Sequence, residues 1–238
     1  MSFRVFKLIV GFGWLAATAF IQPVQANIVG LNSNAALGAF DSINWSQLDP
    51  NNTNFFGPQN VVSTGGVNGA ASSAGNQFQT LTQDSNSWDG NFTPGVNVLW
   101  TVQKGPDITI SVANATRGIG AQIQADSLGA FTAKITAINA GGTLLGSYAE
   151  NGASTNAGDN TAIFIGLFDD TADISKIVFS LTTAPGPTND FAIGPVDFST
   201  QVSSIPEASS WAMVILGFAG IGLIGRRRLR THPMKFAV

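Results

Sequence analysis

Two stretches of this chain alternate strictly, Ile119-Gly-Ala-Gln-Ile-Gln-Ala125 and Phe131-Thr-Ala-Lys-Ile-Thr-Ala137. A period of two puts Ile119, Ala121, Ile123 and Ala125 on one face, and Gly120, Gln122 and Gln124 on the other. A strand with one apolar face must bury it against a second layer. Asp126-Ser-Leu-Gly129 supplies a turn between the two runs, and Ala140-Gly-Gly142 turns the chain into a third run at residues 143–149. Together they predict a three-strand meander. Further strands are predicted at 99–103, 107–112, 161–168, 174–182 and 191–198, with short edge strands at 60–64 and 77–81. Residues 162–168 are apolar on both faces, which predicts a central strand. No stretch between residues 27 and 204 sustains a 3.6-residue period. The fold class is therefore all-β: a single β-sandwich or jelly-roll-like domain over residues 27–204.

The chain has no cysteine, so its core alone must hold that domain. Between Asn27 and Ile205 stand thirteen acidic residues, twelve Asp and Glu150, against Lys104, Arg117, Lys134 and Lys176, a net charge of −9. Nucleic acid, whose phosphates demand a basic surface, is excluded as a partner on this ground. The same stretch holds no His, since His232 lies near the C-terminus. Ser-His-Asp and Cys-His nucleophilic sites cannot be assembled from it, nor can a zinc site of His and Cys. Carboxylate chemistry remains.

The remaining positive charge sits at the two ends. Arg4 and Lys7 precede an uncharged, mostly apolar run at 8–21, followed by Pro23 and by Val24-Gln25-Ala26. The run is shorter than the roughly 20 residues of a comfortable span. The tripartite pattern predicts a secretory signal peptide, residues 1–26, cleaved after Ala26. The competing reading is a permanent anchor.

At the other end, residues 208–225 carry no charge, Trp211 stands near their start, and Arg226, Arg227, Arg228 and Arg230 follow. Positive residues beside a span stay cytoplasmic. This predicts a transmembrane helix at 208–225 with its N-terminal side outward, a basic stop at 226–230 and a cytoplasmic tail at 231–238. Both ends thus imply one topology, with residues 27–204 exported. Pro206-Glu207, a short spacer, Trp211-Ala212-Met213, a Gly-rich span and the Arg cluster resemble the PEP-CTERM sorting signal of exopolysaccharide-producing bacteria; the segment runs over 205–230. One departure is Ala208, where the family pattern has a second Pro. The resemblance implies an exosortase-type membrane transpeptidase as partner and a transient tether to the inner membrane. The plain alternative is a single-span anchor.

Asp41-Ser-Ile-Asn-Trp45, Ser63-Thr-Gly-Gly-Val67, residues 118–126, residues 162–166 and Asp190-Phe-Ala-Ile193 also resemble a group of secreted β-sandwich proteins. That group implies the fold and the exported setting. The setting points to a non-enzymatic surface or matrix component associated with exopolysaccharide or biofilm, with no catalytic residues. The alternatives are a carbohydrate-binding module and a carboxylate-dependent glycan hydrolase.

Within the domain, Trp88 and neighbouring Asp89 are the candidate glycan contacts, since Trp88 stands in a polar loop; the plainer and favoured reading of Trp88 is a loop ring tucked onto the sheet. Trp100, in an apolar run, reads as core, and Trp45 is the third ring of the set. Asp169, Asp170 and Asp173 are candidate Ca²⁺ ligands, since Ca²⁺ takes six to eight oxygens. The plainer reading is a polar turn, and no other cofactor is implied. Asp41 with Asp190 is a second pair considered for Ca²⁺, and Glu150 reads as a solvated residue at a strand end.

Overall fold

The computed structural model describes residues 27–49, 52–75, 77–84, 87–102 and 107–199. Ala26, Pro206, Glu207, Trp211 and Arg226 to Arg228 lie outside the described residues. Among the described residues no helix is long and apolar enough to cross a membrane.

The chain runs through β1 (Ile28–Leu31), a single helical turn α1 (Asn34–Leu37), β2 (Asp41–Ile43), a 3-10 turn (Trp45–Leu48), β3 (Asn54–Phe56), β4 (Gln59–Val62), β5 (Asn68–Ser73), β6 (Gln77–Thr82) and β7 (Asn97–Trp100). The longer strands follow: β8 (Ile108–Thr116), β9 (Gly118–Ala125), β10 (Gly129–Ile138), β11 (Leu144–Ser154), β12 (Ile163–Asp169), β13 (Ile174–Thr183) and β14 (Phe191–Ser199). They form two sheets. The first has the order β1-β12-β9-β14-β7-β6-β3, with β2 also on β14; the second has β11-β10-β13-β8-β5-β4. The domain is an all-β sandwich, as the alternation requires.

The alternating runs are strands β9 and β10, but they are not neighbours in a sheet. β9 lies in the first sheet between β12 and β14, whereas β10 lies in the second between β11 and β13. The predicted three-strand meander is therefore corrected to a crossing followed by a hairpin. The physical reason is that an apolar face has two ways to be buried. Ile119, Ala121, Ile123 and Ala125 belong to the same core as Phe131, Ala133, Ile135 and Ala137, all eight 3% exposed or less. The two strands present their apolar faces to each other across the sandwich instead of pairing edge to edge. β12 is interior, flanked by β1 and β9, as its two apolar faces predict.

Strand β14 divides its far edge. Ala192 and Ile193 pair with β7, and Val196 to Phe198 pair with β2, with an irregularity between Ile193 and Val196. Pro195 stands in that irregularity, where a missing N–H breaks no ladder bond. The Gly194 carbonyl is taken up by the indole N–H of Trp45 at 2.8 Å. Trp45 is fully buried, so it anchors the handover and is not a surface ring.

Candidate functional site

The outward face of the first sheet carries the polar half of the β9 alternation. It is covered on one side by residues 83–84, 87–96 and 155–162. Under them lies a second apolar cluster of Leu81, Trp88, Phe92, Val98, Ala162 and Ala192, with Val96 and Trp100 against it. Trp88 is 5% exposed, and its ring meets Trp100 at 6.3 Å and Phe92 at 6.4 Å. Trp88 is thus the ring tucked onto the sheet, the plainer of its two readings, and not an exposed glycan contact: seven apolar or aromatic neighbours on one sheet face give the ring a better place than water. Asp89 beside it is exposed. Trp100, expected in the core, is partly exposed and packs on the outer face.

Asn91 holds the cover in place. Its Nδ2 reaches Thr155 Oγ1 at 2.6 Å, Thr161 Oγ1 at 2.9 Å and Asp159 Oδ1 at 3.1 Å. Its Oδ1 accepts from Thr155 N at 2.7 Å, and its own N–H donates to Gln124 Oε1 at 2.6 Å. Gln124 returns a bond to the Thr155 carbonyl at 3.1 Å. One buried amide therefore joins residues 87–96, residues 155–162 and strand β9.

Beside the cover runs a groove of about 730 Å³. Val96 and Ala162 belong both to the apolar cluster and to its wall. Its polar lining includes Asn34, Ser42, Gln122, Glu150, Asn160 and Asp197; Phe164 and Pro195 add apolar surface. Gln122 Nε2 donates to Asn160 Oδ1 at 3.0 Å and to the Ala162 carbonyl at 3.1 Å, so the strand amide braces the loop amide. Gly120, the outward residue before Gln122, leaves room for Phe164: a Cβ there would lie 2.5 Å from the ring and 2.9 Å from the Ile165 carbonyl.

Asp197 faces Ser42 and Gly120 in the ladders of β14. Its Oδ2 accepts from Asn34 Nδ2 at 2.6 Å. Burial pushes its carboxyl up to about 6, so it exchanges a proton near neutrality. Glu150, expected at a solvated strand end, sits instead within β11, half-buried, and accepts from the Tyr148 hydroxyl. That bond, followed by burial and the Glu150 charge, holds the phenol above its ordinary value. Asp197 and Glu150 thus come to one groove from opposite sheets, a meeting that their separation in sequence conceals.

The other carboxylates part company. Asp41 pairs with Phe198 at one end of β14, while Asp190 precedes Phe191 at the other end. Eight residues of strand separate those positions, about 26 Å, so a shared Ca²⁺ site is ruled out by register. Asp169 Oδ1 accepts from Thr171 N at 3.0 Å and Thr171 Oγ1 at 2.8 Å, and Thr171 Oγ1 also reaches Asp173 Oδ2 at 3.1 Å. This is the hydrogen-bonded turn of the plainer reading. Among the described residues no group of three or more His, Cys, Asp or Glu is placed to hold a metal ion.

No protein-family model matches the chain, and no curated protein matches it. Solved structures to which the chain is similar include a DUF4465 family protein from Bacteroides caccae, 11% identical over 68% of this chain and 100% of that one, with a TM-score of 0.42. A second is CsCBM6-3 from Clostridium stercorarium in complex with cellobiose, 16% identical over 55% of this chain and 87% of that one, TM-score 0.32. A third is a glycoside hydrolase family 43 arabinoxylan arabinofuranohydrolase from Bacillus subtilis in complex with cellotetraose. It is 20% identical over 55% of this chain and 27% of that chain, TM-score 0.32.

Proposed function

We propose that this is an exported, non-catalytic surface or matrix protein whose sandwich binds extracellular polysaccharide in the groove on the outer face of the first sheet. The carrying observation is the groove's lining: amides of Asn34, Gln122 and Asn160 beside the carboxylates of Asp197 and Glu150, next to Phe164 and Pro195. Amides and carboxylates suit the paired donors and acceptors of sugar hydroxyls, and the apolar surface suits the C–H faces of a pyranose ring. The volume lies within the range of small-ligand sites. Two carboxylates and no Lys or Arg in the lining disfavour uronic-acid polymers, so the substrate class is neutral glycan. Binding of the purified chain to neutral and to uronic-acid polysaccharides, followed by calorimetry, is the test. Gln122→Ala should weaken neutral-glycan binding about tenfold, the effect of one lost hydrogen bond to a ligand. Binding to no neutral glycan sinks the reading, and full affinity in Gln122→Ala moves the site elsewhere.

One observation favours a second reading. A carboxyl that exchanges its proton near pH 6 shares the groove with a second carboxylate, the pair of residue types that glycoside hydrolysis uses. Release of reducing sugar, abolished in Asp197→Asn, would replace binding by hydrolysis.

Export rests on the two ends of the sequence. Pro206-Glu207 precedes the uncharged run of 208–225, the place where a transpeptidase of the resembled kind would read the chain. Glu207 would supply a negative charge beside that run. In the native host, Pro206→Ala with Glu207→Ala should leave the protein full length and membrane-bound. Normal trimming of that double variant, read by immunoblot, would refute the sorting role.

A further inference from the structure

The first described residue, Asn27, sits at the acidic turn that joins β12 to β13. Its backbone nitrogen lies 3.4 Å from Asp170 Oδ1. The position is set by register, since Ile28 pairs with Asp169, Val29 with Phe168 and Gly30 with Leu167. The second sheet locks that register from the other side. The Tyr148 ring fills the space above Gly30, and the Ile28 side chain fills the space above Gly146, where a Cβ would be 2.9 Å from it. β1 cannot slip without emptying both contacts.

The turn is rich in carboxylates. Asp169, Asp170 and Asp173 lie within five residues. Asp169 is fully buried, and its Oδ2 is buried with no hydrogen-bond partner. Arg117 Nη1 donates at 2.6 Å to the Asp170 carbonyl, not to a carboxylate. Glu150, on the strand packed against β1, lines the groove near Asn32, at the opposite end of β1. A backbone amide at 3.4 Å is a weak, neutral answer to such a turn.

We propose that the turn is the receptor for an α-ammonium, and that cleavage of the Ala26–Asn27 bond creates it. The step is hydrolysis by a membrane signal peptidase. Water adds across the peptide bond, Ala26 keeps the carboxylate, and Asn27 leaves with the amine, which takes up a proton. The same nitrogen changes from one neutral donor to three charged ones beside Asp170. Removal of the leader thereby completes this end of the sandwich, coupling export to stability of the exported domain. The inference rests on the export reading and is independent of glycan binding, because the groove lies at the far end of β1.

The sign of the pH dependence follows. An α-amine has an ordinary pKa of about 7.7–8.0, and neighbouring carboxylates raise it. Its contribution is full below that ordinary value and is lost as pH rises through the raised one. The test uses the chain from Asn27 to Val238 in detergent, with its N-terminus free or acetylated, each with and without Asp170→Asn. At pH 6.5 the free chain should melt about 2 °C above the acetylated one, as expected for a surface ion pair in a domain of this size. The gap should close above about pH 9.5 and be absent with Asp170→Asn. Free and acetylated chains that melt together, or a gap that survives Asp170→Asn, would overturn the proposal. Mass spectrometry of the exported protein separates the two failures. An N-terminus other than Asn27 refutes the cleavage site; Asn27 with no gap refutes the receptor.

Discussion

Replacing Asn91 by Ala should cost about 3 kcal/mol and free the cover over the outer sheet face. The side chain is 1% exposed and bonds to Thr155, Asp159 and Thr161 through Nδ2 and to Thr155 N through Oδ1. Truncation leaves the Thr155 N–H and two hydroxyls competing for water that the packed cover excludes. A buried group left unpaired costs about 1–3 kcal/mol, and networks lose more than one bond at a time. Asn91→Asp should be worse, although its shape is the same. It turns two donors into an acceptor and puts a second carboxylate beside Asp159, whose own carboxyl the Thr161 hydroxyl and then Asn91 hold below the ordinary value. Urea unfolding should rank wild type above Ala and Ala above Asp. Hydrogen exchange should show residues 155–162 losing protection before the β9–β12 ladder does. A wild-type midpoint for Asn91→Ala would mean that packing of Trp88 and Phe92 alone holds the cover. Glycan binding should fall in parallel, because Asn160 and Thr161 line the groove.

That dependence explains why the groove is hard to read from sequence. The strands are legible, because a period of two is local: residues 118–125 and 129–138 announce themselves. Which sheet a strand joins is not local. β9 and β10 carry the same pattern, and only packing of one apolar face on the other decides that they oppose each other. The groove lies one step further away. Gln122, Phe164 and Asp197 are outward residues of strands adjacent in space but 33 to 75 residues apart in sequence, and Asn160 arrives on a loop fixed by Asn91. The one sequence signal was the polar face of β9, Gln122 and Gln124, opposite an apolar row. The tryptophans say little about the groove, because a Trp in a polar loop does not show that Phe92, Leu81 and Val98 are the groups it meets. The acidic turn was legible as a turn. Its relation to Asn27 was not, since that needs the β1–β12 register.

Asp41→Ala should be as damaging as Asn91→Ala, about 3 kcal/mol, and its effect should depend on pH. Asp41 belongs to β2 of the first sheet, and its carboxylate faces the loop between β4 and β5 of the second. Oδ1 accepts from Ser42 N at 2.8 Å, Thr64 Oγ1 at 2.8 Å and Gly65 N at 2.5 Å, while Oδ2 accepts from the Ser63 hydroxyl. Ser63 Oγ in turn accepts from Val67 N at 2.8 Å, and Val67 packs on the core. One carboxylate therefore pins the two sheets together at this corner. Burial by itself would raise its pKa; the bonds from Ser63, Gly65, Thr64 and Ser42 outweigh burial and hold the carboxyl below its ordinary 3.8. Because the folded value is depressed, the stabilisation is complete above 3.8 and is lost as pH falls through the folded value. Removing the side chain orphans a buried hydroxyl and a backbone N–H, and bonds to a charged acceptor are the stronger kind. Asp41→Asn keeps one acceptor oxygen but no charge, so it should fall between wild type and Ala at pH 7. Its gap from wild type should shrink as pH falls below 3.8 and through the lower folded value, where the native carboxyl also loses its charge. Urea midpoints from pH 7 down to pH 2.5 decide it: a gap that stays constant over that range would show that the charge contributes nothing to the corner.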